Sequence, residues 1–165
     1  MNLWYVIQTK PKKEEEAKSY LSTKGVEVFN PLMETFLLRN GRMNKELKPL
    51  FPNYIFGKFD LDLNYPLVRW ARGVKKVLGF GEYPTPVSGE AVEIIKERTD
   101  THGIVRLRCH YQTNDLIRIK SGPLKNLLGI FESWVSDRER VRILLNLVGY
   151  QPVVEMHYSM IEKVA

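Results

Sequence analysis

Lys48-Pro49-Leu50-Phe51-Pro52-Asn53-Tyr54-Ile55-Phe56-Gly57-Lys58-Phe59 is the stretch on which the reading of the fold turns. Two prolines bracket Leu50 and Phe51. Each fixes its own φ and pushes the residue before it toward extended geometry, so helix is not expected before Asn53. From Tyr54 onward the residues are aromatic and branched, which suits a strand. Side chains alternate along a strand, so Tyr54, Phe56 and Lys58 share one face and Ile55, Gly57 and Phe59 the other. If one face enters a core, the other carries Tyr54 and Phe56 outward or under a second element. With Phe51 beside them they make an apolar docking patch. The competing reading is a central strand buried on both faces.

The 165 residues suffice for one or two small domains with a real core. An apolar share of 44% and a charged share of 27% are ordinary for a soluble protein. A net charge of +6 and a pI near 9.4 point to an anionic partner, nucleic acid before ribosome. Cys109 is the single cysteine, so no internal disulfide can form and a reducing compartment fits. The N-terminus has no long apolar run behind a basic start, and no stretch approaches the ~20 apolar residues of a membrane span. A cytoplasmic protein with no membrane attachment is expected.

Ahead of the quoted stretch, Leu3 to Thr9 alternates and reads as a strand. Pro11 and the carboxylates Glu14, Glu15 and Glu16 then open a helix over roughly 12–24, where the positive end of the helix dipole favours acids. The three glutamates read as a solvated helix start. Ala17, Tyr20 and Leu21 form a narrow apolar stripe, and Gly25 stops the helix. Val26 to Pro31 and Met33 to Arg39 read as strands, the second leading through Asn40-Gly41, a hairpin signal, into the basic arm Arg42 to Lys48. After the strand at 54–59, Leu63 to Trp70 is a short helix with Leu63, Leu67 and Trp70 on one side. Val74 to Phe80 is a strand, and Gly81 to Pro86 a loop. Ser88 caps a last helix that fades near Arg98. This order is α+β: an antiparallel-rich sheet covered by helices over residues 1–99.

Thr99 to Thr113 is polar and basic, with Arg106, Arg108 and His110, and has no clear period. It reads as a linker, bounded at 100–112. The remaining residues, 113–165, hold short runs at Leu116 to Lys120, Leu128 to Trp134, Val141 to Leu147 and Val153 to His157. Ser121-Gly122-Pro123 and Ser136-Asp137 separate them as turns. That spacing suggests a small β-barrel. A competing signal runs through the same residues. Leu124, Leu127, Leu128 and Phe131 fit helical spacing, as do Val141, Leu144, Leu145 and Val148, so a helical hairpin stays open as an alternative.

Taken in order, these features resemble the NusG family of transcription elongation factors over nearly the whole chain. The matches are Trp4-Tyr5, the basic turn Lys10 to Lys13, the block Pro49 to Phe56, Arg72-Gly73-Val74, Gly79-Phe80-Gly81 with Pro84 and Pro86, and a KOW-like run. That run comprises Asp115 to Ile119, Ser121-Gly122-Pro123-Leu124 and Gly129. The resemblance implies an N-terminal NGN domain and a C-terminal, SH3-like KOW barrel. Within the family, Leu50 to Tyr54, Leu144 to Leu147 and the leucine at position 124 look more like the specialised antiterminator RfaH than the housekeeping factor. RfaH-like factors hide the KOW domain as a helical hairpin and refold it as a barrel, which the leucine spacing permits. Two packings of one sequence must lie within a few kcal/mol.

The resemblance also implies partners and sites. Phe51, Pro52, Tyr54 and Phe56 would dock on bacterial RNA polymerase, with Asn64 and Tyr65 toward the opposite side of its cleft. Lys10, Lys12, Lys13, Tyr20, Arg72, Lys75 and Lys76 would meet the exposed non-template DNA strand, although Glu16 and Thr23 stand where the specialised factor is basic. Trp4 and Tyr20 offer rings for base stacking, against core packing for Trp4. In the KOW domain, Leu145, Asn146 and Leu147 would recruit a small-subunit ribosomal protein or a termination factor by strand addition at an exposed edge. His102, His110 and His157 are scattered, no phosphate-binding loop is present, and Cys109 lacks a second cysteine for zinc. The expectation is a monomer, not an enzyme, with no cofactor or metal. It would suppress pausing or termination. The alternative is a ribosome-associated, RNA-binding KOW protein.

Overall fold

The structure is a computed structural model and describes residues 1–106, 111–135 and 139–164. Arg108, Cys109 and His110 of the expected linker, and the turn residues Ser136 and Asp137, lie outside the described residues. The chain divides into two compact units, Met1–Leu37 with Lys45–Leu107, and Leu38–Asn44 with Arg108–Ala165.

In chain order come β1 (Asn2–Thr9), α1 (Glu14–Thr23), β2 (Glu27–Phe29), β3 (Leu32–Arg39), β4 (Arg42–Pro49), β5 (Tyr54–Asp60), α2 (Leu61–Arg69), β6 (Val74–Val77), β7 (Gly79–Phe80), β8 (Tyr83–Pro84), α3 (Gly89–Glu97) and β9 (Ile104–Val105), all in the first unit except the β3–β4 tip, Leu38–Asn44. Four antiparallel strands form the main sheet in the order β2-β5-β1-β6. β5 alternates as its sequence requires: Ile55, Gly57 and Phe59 are buried, while Tyr54, Phe56 and Lys58 are only half-buried. The reading with both faces buried does not hold. Tyr5, Ile7, Ile55, Phe59, Val74 and Val77 pack against Ala17 and Leu21 of α1 and Val68 of α2. Gly57 is needed there, because a Cβ at this position would lie 2.6 Å from Ile7 Cδ1. On the other face, Trp4 is 4% exposed beneath α3. The Lys96 ammonium stands 4.5 Å from its ring centroid. Core packing is therefore the role of Trp4.

Asn40 and Gly41 take φ of +50° and +70°, the hairpin turn expected between β3 and β4. Several local expectations are corrected. Val74 to Phe80 is interrupted, because the Leu78 N–H turns to the Val6 carbonyl (2.9 Å) between β6 and β7. The expected loop 81–86 holds β8, which closes a small hairpin on β7. Ser88 occupies the cap position of α3 but its side chain makes no capping hydrogen bond. The opening of α2 is instead capped by Asp60, whose carboxylate accepts from the N–H groups of Asp62 and Leu63. Leu63 on α2 and Trp70, its C-terminal cap residue, face solvent, and Val68 is the buried residue of the helix. Of the three residues expected on one side, Leu67 packs against the core, together with Leu61 and Tyr65. Within the stretch read as linker, β9 pairs in parallel with β3, Leu32 opposite Ile104 and Met33 opposite Val105. A two-residue strand paired across so much sequence leaves no local period to read.

The second unit is all-β: β10 (Leu116–Ile119), β11 (Leu128–Val135), β12 (Arg140–Leu145), β13 (Val153–His157) and β14 (Ile161–Lys163), in the antiparallel order β13-β12-β11-β10-β14. Ile117, Ile119, Phe131, Val141, Ile143, Leu145, Met156 and Ile161 form its core. The described residues thus adopt the strand form and not the helical hairpin. The leucine spacing resolves differently. Leu124 and Leu127 close a turn, Val141 and Leu145 point inward at strand period, and Val148 is fully exposed.

Candidate macromolecular interface

The Pro52-Asn53 turn is held from three sides. The Tyr54 N–H donates to the Phe51 carbonyl (3.0 Å), and the Thr9 N–H donates to the Asn53 carbonyl (2.8 Å). The Asn53 N–H donates to Glu14 Oε1 at 2.7 Å. Asn53 sits at φ +69°, a left-handed conformation that asparagine tolerates. Glu14 is 6% exposed, so it is a buried fastening between α1 and β5 and not part of a solvated helix start. A buried N–H needs such a partner. This frame aims Phe51 edge-on at Phe56, with centroids 5.7 Å apart and planes at 84°, and Phe56 stacks on Phe29 at 6.2 Å. Val6 stands opposite Phe56 and Gln8 opposite Tyr54. Phe29, Phe51, Tyr54 and Phe56 are all half-buried, and Pro52 is exposed at the tip. Phe51, Phe56 and Phe29 pack ring to ring, and each keeps part of its surface exposed. Asn64 and Tyr65 lie on α2, and Tyr65 packs on the inner-face core, in the layer opposite the aromatic patch.

The cations named from the sequence divide. Lys10, Lys12 and Lys13 form the turn into α1, and the Lys10 N–H donates to the Gly73 carbonyl at 2.9 Å, bringing Arg72 beside them. Gly73, at φ +83°, touches the start of α1. A Cβ there would meet the Ala17 nitrogen and the Lys13 oxygen, each at 3.2 Å. Lys13 and Arg72 both pair with Glu16, at 2.7 and 2.5 Å. The hydrogen bond from Lys13, with the charges of Lys13 and Arg72, holds the Glu16 carboxyl below the usual range. Glu16 therefore offsets two of the cations. Tyr20 stands one helical turn further on, half-exposed, with the Lys24 ammonium 5.7 Å from its ring centroid. Lys75 and Lys76 are exposed on β6, and Lys76 lies in the cross-sheet row Tyr54, Gln8, Lys76.

The expected edge at Leu145 to Leu147 is corrected. β12 lies between β11 and β13, so its ladder is occupied on both sides. Leu145 is 3% exposed in the core, and the N–H groups of Leu145 and Asn146 are taken by Pro152 and Leu128. Asn146 and Leu147 remain exposed, on a loop with Val148 and Tyr150. Sequence reasoning missed two features: Glu14 as a fastening, which no local pattern signals, and the exposure of Trp70, hidden by its apolar periodicity. Among the described residues, no group of three or more His, Cys, Asp or Glu side chains is placed to hold a metal ion. No described helix is long and apolar enough to cross a membrane.

The chain is similar to known proteins over nearly its full length. Residues 2–96 match the family model described as NusG, transcription termination factor nusG. A transcription termination/antitermination protein NusG of Halalkalibacterium halodurans is 25% identical, with 98% of each chain covered. One of Thermus thermophilus is 28% identical, with 97% of each covered. A solved chain of the MjSpt4:Spt5 complex matches with a TM-score of 0.55 at 11% identity over 99% of both chains, a likeness of fold. The family model covers the sheet, the aromatic turn and the cationic turn together, and the relatives align from end to end; the chain belongs to the NusG family of transcription factors.

Proposed function

We propose that this protein binds an elongating bacterial RNA polymerase through Phe51, Pro52, Tyr54 and Phe56 and suppresses pausing or termination. Asn64 and Tyr65 reach toward the opposite wall of the cleft. The observation that carries this reading is the aromatic turn, fastened by Glu14 and Thr9 while its rings stay half-exposed. Burying one such ring is worth roughly 1.5–3 kcal/mol, and several together make a hot spot. A factor that grips both sides of the cleft favours the closed, processive enzyme by its differential affinity. The cations at the start of α1, with Lys75 and Lys76, meet the exposed non-template strand. The second unit, joined through residues 100–112, recruits a small-subunit ribosomal protein or a termination factor. Its contact surface is the exposed loop at Asn146 and Leu147. The protein works as a monomer in the cytoplasm and carries out no chemistry of its own.

The test is capture of core polymerase by the full chain. Phe51→Ala with Tyr54→Ala is expected to abolish capture while leaving the far-UV spectrum unchanged. Undiminished capture by the folded double variant refutes the reading and favours the ribosome-associated alternative.

A further inference from the structure

The second unit holds a cavity of about 860 Å³ between its hairpin tip, Leu38–Asn44, and its barrel. Both walls belong to that unit. Clefts of this size that are mostly apolar, with a few polar groups, are those that take small molecules. Leu38 and Met43 line it from the tip, and Leu124, Met156 and Met160 from the barrel. Methionine is unbranched and polarizable, so three of them make a wall that adapts to an apolar body of irregular shape. Two of the three are placed by the barrel itself. Met156 stands on β13 opposite Val141 and is 8% exposed. Met160 lies against the turn at Gly122, where a Cβ would stand 2.8 Å from the methionine methyl.

The charged groups on the same lining divide into engaged and unengaged ones. Glu155 is tied to Arg142, whose Nη2 donates to its Oε1 at 3.0 Å. His157 accepts the Ser159 N–H at Nδ1 (3.2 Å), and Glu139 is engaged as well. Arg42 and Arg140 are exposed on the lining, and among the described residues neither pairs with a carboxylate. The carboxylates are thus taken while two guanidinium groups stand ready for an acid. An apolar wall beside unpaired arginines is complementary to a molecule with an apolar body and one acid group. We infer that this cavity binds an amphipathic organic anion, its apolar body on Leu38, Met43, Met156 and Met160 and its acid group at the arginines. A neutral apolar ligand would leave the arginines without a partner. A polyanion would leave the methionine wall without one. The site uses none of the residues given to polymerase or to the second unit's protein partner, and it stands without that reading.

The experiment follows the methionine methyl groups of the isotope-labelled full chain by NMR during titration with sodium decanoate below its micelle concentration. The five methionines map the site, since Met43, Met156 and Met160 line the cavity while Met1 and Met33 do not. Decanoate is expected to shift the first three saturably and to leave Met1 and Met33 in place. Decanol keeps the apolar chain without the charge. It is expected to bind about 2- to 5-fold more weakly, the range of an exposed ion pair. Arg42→Ala with Arg140→Ala, checked for an unchanged far-UV spectrum, is expected to lose the same factor for decanoate and to bind decanol like wild type. Met43→Glu, which sets a carboxylate on the tip wall, is expected to lose decanoate while the barrel unfolds in urea as in wild type. Absence of a saturable shift at the three methyls overturns the inference. So does a shift of all five together, which marks adsorption over the whole surface. Equal affinity for decanol and decanoate overturns it too, as does a folded double arginine variant that binds decanoate as tightly as wild type. Polymerase capture by the Phe51 and Tyr54 variant is read separately, so failure of either proposal is distinguishable from failure of the other.

Discussion

Replacing Glu14 tests whether the aromatic turn is held in place by a buried carboxylate. The Asn53 N–H donates to Glu14 Oε1 at 2.7 Å, and Glu14 is almost wholly enclosed. In Glu14→Ala the Asn53 N–H loses this partner in a place poorly reached by water, at a cost of about 1–3 kcal/mol. Glu14→Gln keeps an oxygen acceptor but a neutral one. Charge-assisted bonds are roughly twice as strong as neutral ones, so this variant loses about half as much. Hydrogen exchange at the Asn53 amide reads the effect directly. Protection is expected to fall about 5- to 150-fold in Glu14→Ala, since each 1.4 kcal/mol is a factor of ten, and by less in Glu14→Gln. The same loosening moves Phe51 and Tyr54, which flank the turn, so polymerase capture should weaken although neither ring has been altered. Unchanged Asn53 exchange in Glu14→Ala refutes the reasoning, as does a larger loss in Glu14→Gln than in Glu14→Ala.

Gly73→Ala is expected to lower thermal stability by at least about 1 kcal/mol, because a left-handed backbone is combined with Cβ contacts at 3.2 Å; an unchanged Tm counts against it. Gly129→Ala places a Cβ 2.6 Å from Ile143 Cγ2 and 2.8 Å from the Leu144 oxygen in the second unit. A loss of about 1–3 kcal/mol is expected in urea unfolding of that unit, and a neutral result would mean that β11 and β12 can part. Asp115 is held below the usual carboxylate range first by the hydrogen bond from Lys163, then by the Gln112 N–H. Its folded pKa is depressed, so its contribution is present above the unfolded value and is lost as the pH falls through the folded one. Lys163→Ala should raise the Asp115 midpoint in a carboxyl NMR titration and flatten this acid limb. A midpoint that stays put in the variant argues against the ion pair.

The residues near the centre of the first unit were legible because their signals are local. Two prolines around Leu50 and Phe51, alternation from Tyr54 to Phe59, and Asn40-Gly41 each act within a few residues, so the strand, its two faces and the hairpin turn could be read off directly. Charge order around Lys10 to Glu16 likewise placed α1. Periodicity states which side chains share a face, but not what covers that face. Tertiary packing decided that Trp4, open between base stacking and core packing, lies under α3, while Trp70, read on one side of its helix with Leu63 and Leu67, stands in solvent. Packing also put Glu14 inside, where it accepts a hydrogen bond from the Asn53 N–H, 39 residues away. β12 became a central strand for the same reason: whether a strand is an edge depends on β11 and β13 pairing with it, and no stretch of β12 encodes its neighbours. Local chemistry determined the elements and the family pattern. Contacts distant in sequence decided which rings and charges were left for another molecule.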